Sequence, residues 1–275
     1  IMPELPEVET VKRSLKKLVQ GKKITDVVIK YPNIIAYPDS KKFIEELHNQ
    51  TIHEIKRRGK WLMFELDNYI LLSHLRMEGK YVIRKKEDSF EKHEHIEFIF
   101  DDGTSLRYKD VRKFGRMYLY PFDVAELNKP LNELGLEPWD SNLTISYLKE
   151  KYKVKKIPIK TVVLDQGIIV GIGNIYADEI LFLSHINPYK KACDLKDEEL
   201  NQLIQYTKEV LEHAIELGGT TIRTYESSEG VHGLFQQELL VHNQKICSKC
   251  NGKIIKETVV KFDFRGELGN LIEFG

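Results

Sequence analysis

Between Lys23 and Tyr120 the chain is a succession of short β-patterned runs separated by turn residues, and no other stretch restricts the fold as much. Ile24–Ile29 reads as a strand. Ile52–Leu66 reads as one longer strand broken at Gly59, followed by a turn at Asp67-Asn68 and a run from Tyr69 to Leu75. Gly79–Arg84 is another. His95–Phe100 meets Thr104–Tyr108 across Asp102-Gly103, a strong hairpin signal because these residues tolerate the positive φ of tight turns. Met117–Tyr120 closes the series. So many short strands predict an antiparallel sandwich. Ahead of it, Leu5, Val8, Val11, Leu15 and Leu18 recur at steps of three and four, which predicts an amphipathic helix from Pro3 to about Val19, packed on the sandwich.

The texture changes over residues 121–146, where Pro121, Pro130, Gly135, Pro138, Asp140 and Asn142 punctuate the chain. Beyond it the pattern is helical: Ser146–Tyr152, a short helix from Lys160 to Asp165, Ile175–Leu183 after the turn Gly171-Ile172-Gly173-Asn174, and a long helix Lys196–Leu217 stopped by Gly218-Gly219. From Leu239 onward short strands return. The fold class is therefore α+β.

Charge excludes less than it first suggests. Lys+Arg and Asp+Glu both number 42, so the net charge is zero, which argues mildly against a nucleic-acid binder, but the local distribution decides what a groove can hold. Lys56-Arg57-Arg58-Gly59-Lys60 is a compact basic cluster, read equally as a solvated strand edge or as a phosphate-binding turn. Asp110-Val111-Arg112-Lys113-Phe114-Gly115-Arg116 places cations around an aromatic, and Met77 sits in a second loop; an apolar wedge beside an arginine suits a side chain that inserts into DNA, although a lone Met or Phe is more often core. The glycine-rich turn before Ile175 offers backbone N–H groups to a phosphate, with Lys160 upstream. No apolar run reaches transmembrane length and no secretory signal is present, and three cysteines do not make a disulfide framework, so a reducing cytosol is expected.

The start of the chain carries the sharpest chemical suggestion. In Met2-Pro3-Glu4-Leu5-Pro6-Glu7-Val8-Glu9-Thr10 the carboxylates crowd a helix start, which by itself describes a well-capped surface helix. Bacterial processing commonly removes an initiator Met that precedes proline. That leaves a secondary amine, and a terminal amine titrates near ~7.7–8.0 rather than near the ~10.4 of lysine. Such an amine attacks a sugar C1′ and forms an iminium, with Glu4 as the adjacent proton donor or acceptor. An amide nitrogen at Pro3 cannot do this, so the working protein is expected to begin at Pro3.

Cys247-Ser248-Lys249-Cys250 is half of a zinc finger. A structural zinc takes four ligands. Where a second pair would fall, the chain reads Asn270-Leu271-Ile272-Glu273, so either His242 or Glu273 substitutes or the hairpin is held by Ile254, Val259, Phe262 and Phe264.

Together these residues, from Met2 to about Gly266, resemble the bacterial formamidopyrimidine-DNA glycosylase family in both identity and order. The resemblance implies an N-terminal β-sandwich with flanking helices (residues 1–134), a linker (135–146), a helix-two-turn-helix domain (147–238) and a degenerate zinc-finger β-hairpin (239–275), with DNA held in the cleft. It implies Pro3 as nucleophile, Glu4 as acid/base, and Glu7 as support of the active site. Lys60 contacts phosphate beside the lesion, and His93 is a further DNA-binding position. Met77, Arg112 and Phe114 fill the gap left by the extruded nucleotide, with Arg112 facing the widowed cytosine. Lys160, Asn174 and Arg265 grip phosphates, and Tyr225 lies in the loop that closes over the extruded base. The implied activity is a DNA glycosylase and abasic-site lyase on oxidised purines, with no redox or nucleotide cofactor, in a monomeric protein of the bacterial cytoplasm associated with the nucleoid. The partner is double-stranded DNA carrying oxidised bases or abasic sites. Two alternatives stand beside it: an endonuclease VIII-like enzyme for oxidised pyrimidines, and a catalytically silent binder of damaged DNA.

Overall fold

The computed structural model describes residues 2–220, 233–258 and 271–274, with Thr258 and the last strand described by backbone alone. The chain divides into two compact units, one built mainly from residues 7–132 and the other from residues 133–220 and 233–275, to which the short segment Glu4–Pro6 also belongs.

The first unit is a sandwich of two sheets. Helix α1 (Leu5–Val19) leads into β1 (Ile24–Ile29), β2 (Ile35–Tyr37), α2 (Ser40–Leu47), β3 (Glu54–Arg58), β4 (Trp61–Glu65), β5 (Tyr69–His74), β6 (Lys80–Lys85), β7 (Glu94–Phe100), β8 (Thr104–Lys109) and β9 (Arg116–Pro121). One sheet has the order β1-β7-β8-β6 and the other β2-β9-β5-β4-β3. Val27, Phe98 and Leu106 of the first share a core with Ile55, Phe64 and Leu71 of the second, and Val8, Val11 and Leu15 of α1 enter it too. Period-two alternation explains this, since every second residue faces the partner sheet.

Three differences from the sequence reading have local causes. The sandwich is not wholly antiparallel, because β2 pairs parallel with β9. Ile52–Leu66 is a hairpin rather than one strand: Arg58 opposes Trp61, and Gly59 with φ +57° takes the first turn position, where type II′ geometry demands glycine. Helix α2, unforeseen, is capped by Asp39, whose carboxylate accepts the Lys42 N–H at 3.0 Å. Helix α1 also begins at Leu5, two residues after Pro3.

The second unit contains α3 (Ile145–Tyr152), α4 (Ile159–Val163), α5 (Asn174–Leu183), α6 (Asp197–Glu216) and the strand pair β10 (Ile255–Thr258) and β11 (Leu271–Phe274). Its core joins Leu148, Ile159, Val163, Ile175, Ile180 and Leu203. Gly218 and Gly219 end α6 at φ +77° and +78°, the left-handed conformation expected after a helix stop. Gly135 and Leu136 are hydrogen-bonded to Gln166 and Ile168, so the start of the expected linker at residue 135 is an integral part of this unit.

Candidate active site and nucleic-acid interface

In the second unit the site is organised by one carboxylate. Glu4 is 2% exposed, and its oxygens accept backbone N–H bonds from Gly173 at 2.6 Å, Ile175 at 2.8 Å and Tyr176 at 3.3 Å. These donors are the unpaired amides at the start of α5, where the helix pole also favours an anion. The next residue adds a backbone bond, Leu5 N–H to Gly171 O at 3.0 Å. The glycines are demanded by this approach. A Cβ on Gly173 would lie 2.5 Å from Glu4 Cδ, and one on Gly171, at φ +95°, would lie 2.4 Å from Leu5 Cδ1. Gln166 fixes the turn from behind, accepting the Gly171 N–H at 2.7 Å and donating to Ile172 O at 2.9 Å. The sequence reading assigned these amides to a phosphate. They are occupied instead by the protein's own carboxylate, adjacent in sequence to Pro3, which is itself buried.

Lys160 is placed differently from the expected phosphate grip. Its side chain is fully buried; Nζ donates to the Asp178 carboxylate and to Asn174 O at 3.1 Å. An ammonium enclosed and paired in this way secures the first turn of α5 and is not presented to a ligand. Asp178 also accepts from or pairs with His242 Nδ1 at 2.8 Å. Asn174 heads α5 half-buried, and its Oδ1 is buried with no hydrogen-bond partner among the described residues.

In the first unit the candidate residues lie on turns, apart from Glu7 on α1. Glu7 is buried on α1. Glu9, two residues along, accepts from Arg57 Nε at 2.9 Å and Lys12 Nζ at 2.7 Å. Burial pushes the Glu9 carboxyl up, but these two cations outweigh it and hold it below the usual range. Arg57 in turn donates to Gly59 O at 3.0 Å, fixing the tight turn that carries the buried Lys60. The basic cluster is therefore not a solvated strand edge throughout. His74 is buried beside Trp61, and its Nδ1 accepts the Arg76 N–H at 3.0 Å where the Met77 turn begins. Burial, with the charges of Arg76 and Lys60, drives its pKa well below the ordinary histidine value.

Arg76, His93 and Lys113 all have positive φ, at 54°, 70° and 59°. Such backbone is uncommon outside glycine and asparagine and concentrates where surrounding structure imposes it for a purpose. Each of the three belongs to a turn carrying a candidate DNA-contact residue: Met77, His93 itself, and Arg112 with Phe114. The Phe114 ring is 48% exposed, with the Arg112 guanidinium 4.9 Å above it. An aromatic so presented is not core.

The sequence profile described as the formamidopyrimidine-DNA glycosylase N-terminal domain matches residues 2–117, and that described as the formamidopyrimidine-DNA glycosylase H2TH domain matches residues 134–226. The formamidopyrimidine-DNA glycosylase of Bacillus cereus strain ATCC 10987 is 47% identical over 262 residues, covering 94% of this chain and 95% of that protein. The chain belongs to the formamidopyrimidine-DNA glycosylase family. The family member from Bacillus subtilis strain 168 is 45% identical over 262 residues, 94% of this chain and 95% of that protein. Among solved structures, Lactococcus lactis Fpg in complex with abasic-site DNA matches with a TM-score of 0.88 at 37% identity, over 98% of this chain and 97% of that one. The same Lactococcus lactis protein with DNA containing N7-benzyl-Fapy-dG gives 0.88 at 37% identity, over 99% and 98%.

Two family positions, Tyr225 and Arg265, lie outside the described residues, as do Val259, Phe262 and Phe264. Cys247 is buried and Cys250 exposed. N–H groups of Cys250 and Lys249 directed at the Cys247 sulfur lower its pKa, and Gly252 N–H lies 3.4 Å from Cys250 Sγ. The turn thus favours a thiolate at Cys247. A structural zinc takes four ligands, and among the described residues no cluster of three or more His, Cys, Asp or Glu side chains is placed to hold a metal. His242, offered as a substitute ligand, has its Nδ1 on Asp178. Among the described residues, the two thiols alone do not supply the four ligands of a structural zinc.

One residue was missed. Glu179 is 2% exposed and accepts the N–H groups of Leu240 at 2.8 Å, Val241 at 2.9 Å and His242 at 2.8 Å. It ties α5 to the segment leading to the cysteines. The available signal was the acidic pair Asp178-Glu179 within a helix otherwise rich in apolar residues. Among the described residues, no helix is long and apolar enough to cross a membrane.

Proposed function

We propose that this chain is a bifunctional DNA glycosylase and abasic-site lyase that removes oxidised purines, 8-oxoguanine and formamidopyrimidines, from double-stranded DNA, acting as a monomer at the bacterial nucleoid. The observation that carries the reading is Glu4, held by three backbone N–H groups beside Pro3 in sequence. A group fixed in this manner loses little orientation during reaction, which is the requirement for proton transfer at a single site.

With Pro3 as the N-terminal residue, its imino nitrogen attacks C1′ and the bond to the damaged base breaks, the base leaving with a proton. The nitrogen lone pair then forms an iminium after ring opening. Loss of a C2′ proton expels the 3′ phosphate, and a second elimination expels the 5′ phosphate. Glu4 moves protons at the sugar and Glu7 supports it. The iminium accepts the electrons of each elimination, so the chemistry needs no metal or redox cofactor. Lys60, His93 and Asn174 hold backbone phosphates, Lys160 acts through Asn174 as its support, and Met77, Arg112 and Phe114 occupy the space of the extruded nucleotide.

Borohydride trapping on an 8-oxoguanine duplex tests this, using protein shown by intact mass to begin at Pro3. A covalent adduct that disappears when the amine is blocked supports the enzyme. Retarded DNA without an adduct identifies a silent binder, and trapping on oxidised pyrimidines in preference to 8-oxoguanine identifies the endonuclease VIII-like branch.

A further inference from the structure

Two turns of the first unit that are distant in sequence converge on one buried phenol. Tyr108, on β8, is fully buried with its ring edge-on to Tyr81 at 5.3 Å. Its hydroxyl donates to Asp110 Oδ2 at 3.1 Å. It also abuts the backbone of both turns, since a Cβ on Gly79 would lie 2.3 Å from the Tyr108 oxygen and one on Gly115 would lie 1.8 Å from it. Gly79 closes the Met77 turn through its N–H bond to Leu75 O at 2.9 Å. Gly115 closes the Arg112/Phe114 turn.

Asp110 extends the arrangement. It is 1% exposed, and its Oδ2 accepts the Gly115 N–H at 2.9 Å while Oδ1 accepts the Arg112 N–H at 3.1 Å. Its own N–H donates to His93 O at 3.0 Å, and its carbonyl bonds His95 Nε2 at 2.7 Å. One residue therefore fixes both ends of the Arg112/Phe114 turn and the carbonyl of the His93 turn. Burial, reinforced by the Asp110 charge, raises the Tyr108 pKa, so the phenol remains a donor at every working pH.

We infer that Tyr108, acting with Asp110, is a positioning residue that sets the relative height of the Met77 and Arg112/Phe114 turns, and so governs how completely they fill the duplex and how strictly the opposite base is read. This rests on the reading of those three side chains as gap fillers. The hydroxyl is the part of Tyr108 that meets both turns; ring atoms Cζ and Cε1 also abut Gly115, and the ring packs edge-on against Tyr81. Removing the oxygen alone therefore takes away the contact the two turns share, while Asp110 and the sheet packing stay in place.

The test is Tyr108→Phe, with Asp110→Asn as the second variant should the first fail to fold. Three quantities are measured: excision of 8-oxoguanine opposite cytosine and opposite adenine in a duplex, the response of 2-aminopurine placed opposite the lesion, and cleavage of a single-stranded abasic oligonucleotide, which has no partner strand to be read. The expected result is a loss of about tenfold in duplex excision, the scale of one buried hydrogen bond, with a smaller cytosine-over-adenine ratio and a reduced 2-aminopurine response. Single-strand cleavage stays at the parent rate. An unchanged base ratio, or equal losses on single and double strands, overturns the assignment and leaves Tyr108 as core. Parent protein that forms no reducible adduct on either substrate removes the functional reading itself.

Discussion

Glu4 and Phe114 are secured by opposite means. Glu4 is enclosed and receives three backbone N–H bonds from the start of a helix. Phe114 is half-exposed on a turn whose backbone is fixed through Asp110 and includes the positive-φ Lys113. The first arrangement places one group accurately and leaves it no alternative. The second fixes the base of a turn while leaving an apolar tip in water, as the proposed insertion among bases requires. Chemistry at one carbon favours the former, and entry into a duplex favours the latter.

The largest expected effect falls on the enclosed group. Glu4→Gln replaces one acceptor with an amide that opposes the N–H donors, so single-turnover excision of 8-oxoguanine falls by roughly 10²–10⁴-fold while gel-shift affinity for the lesion duplex persists. Normal excision by this variant would remove Glu4 from the chemistry. Next is Gly173→Ala, whose new methyl lies 2.5 Å from Glu4 Cδ and displaces the carboxylate. A shift of this size costs about 10²-fold in turnover, with KM little altered; wild-type turnover would show that the cradle is not what positions Glu4. On the exposed side, Phe114→Ala is expected to lower duplex excision by about tenfold, the scale of one lost base stack, and to spare single-stranded abasic cleavage. Equal losses on both substrates would erase the distinction between the two regions.

Two weaker tests concern charge. Affinity for the lesion duplex falls with added salt, by about 0.9 in the log–log slope for each phosphate contacted, and a flat response would contradict phosphate-holding turns. His74 has a folded pKa below that of the unfolded chain. The unfolded state therefore binds the extra proton first, and stability is lost as pH falls below about 6.5, by at most about 1.4 kcal/mol for each pH unit. Thermal melting from pH 8 to pH 5 should show an acid-side decline that is shallower in His74→Phe.

Local pattern made much of the scaffold legible. The Asp102-Gly103 hairpin, the β1 run and the α5 and α6 helices each follow from periodicity and a stop signal within a few residues. Helix α2 carries such signals too, in Asp39 and the Phe43/Leu47 spacing, but they are short and set among strand-like neighbours. The β3–β4 hairpin was concealed because Gly59 fits a strand break and a two-residue turn equally well. The site was less legible, since its decisive contacts are distant in sequence. Nothing near Gly173 indicates that its N–H is reserved for Glu4, and nothing near Lys160 indicates that Asp178 will enclose it. A helix start advertises an anion site, but sequence does not say whether the anion arrives from outside or from another part of the chain.

The cradle joins residues 169 positions apart. A ribosome must therefore release well over half of the chain before the acidic group acquires its donors, and a proteolytic fragment of the amino-terminal sheets lacks the backbone N–H groups that hold Glu4. On the mechanism proposed above, an aldehyde-reactive nitrogen exposed earlier in synthesis is thus unaccompanied by its proton-transfer partner in working order. Competence to cut DNA arrives late, as a property of the finished fold.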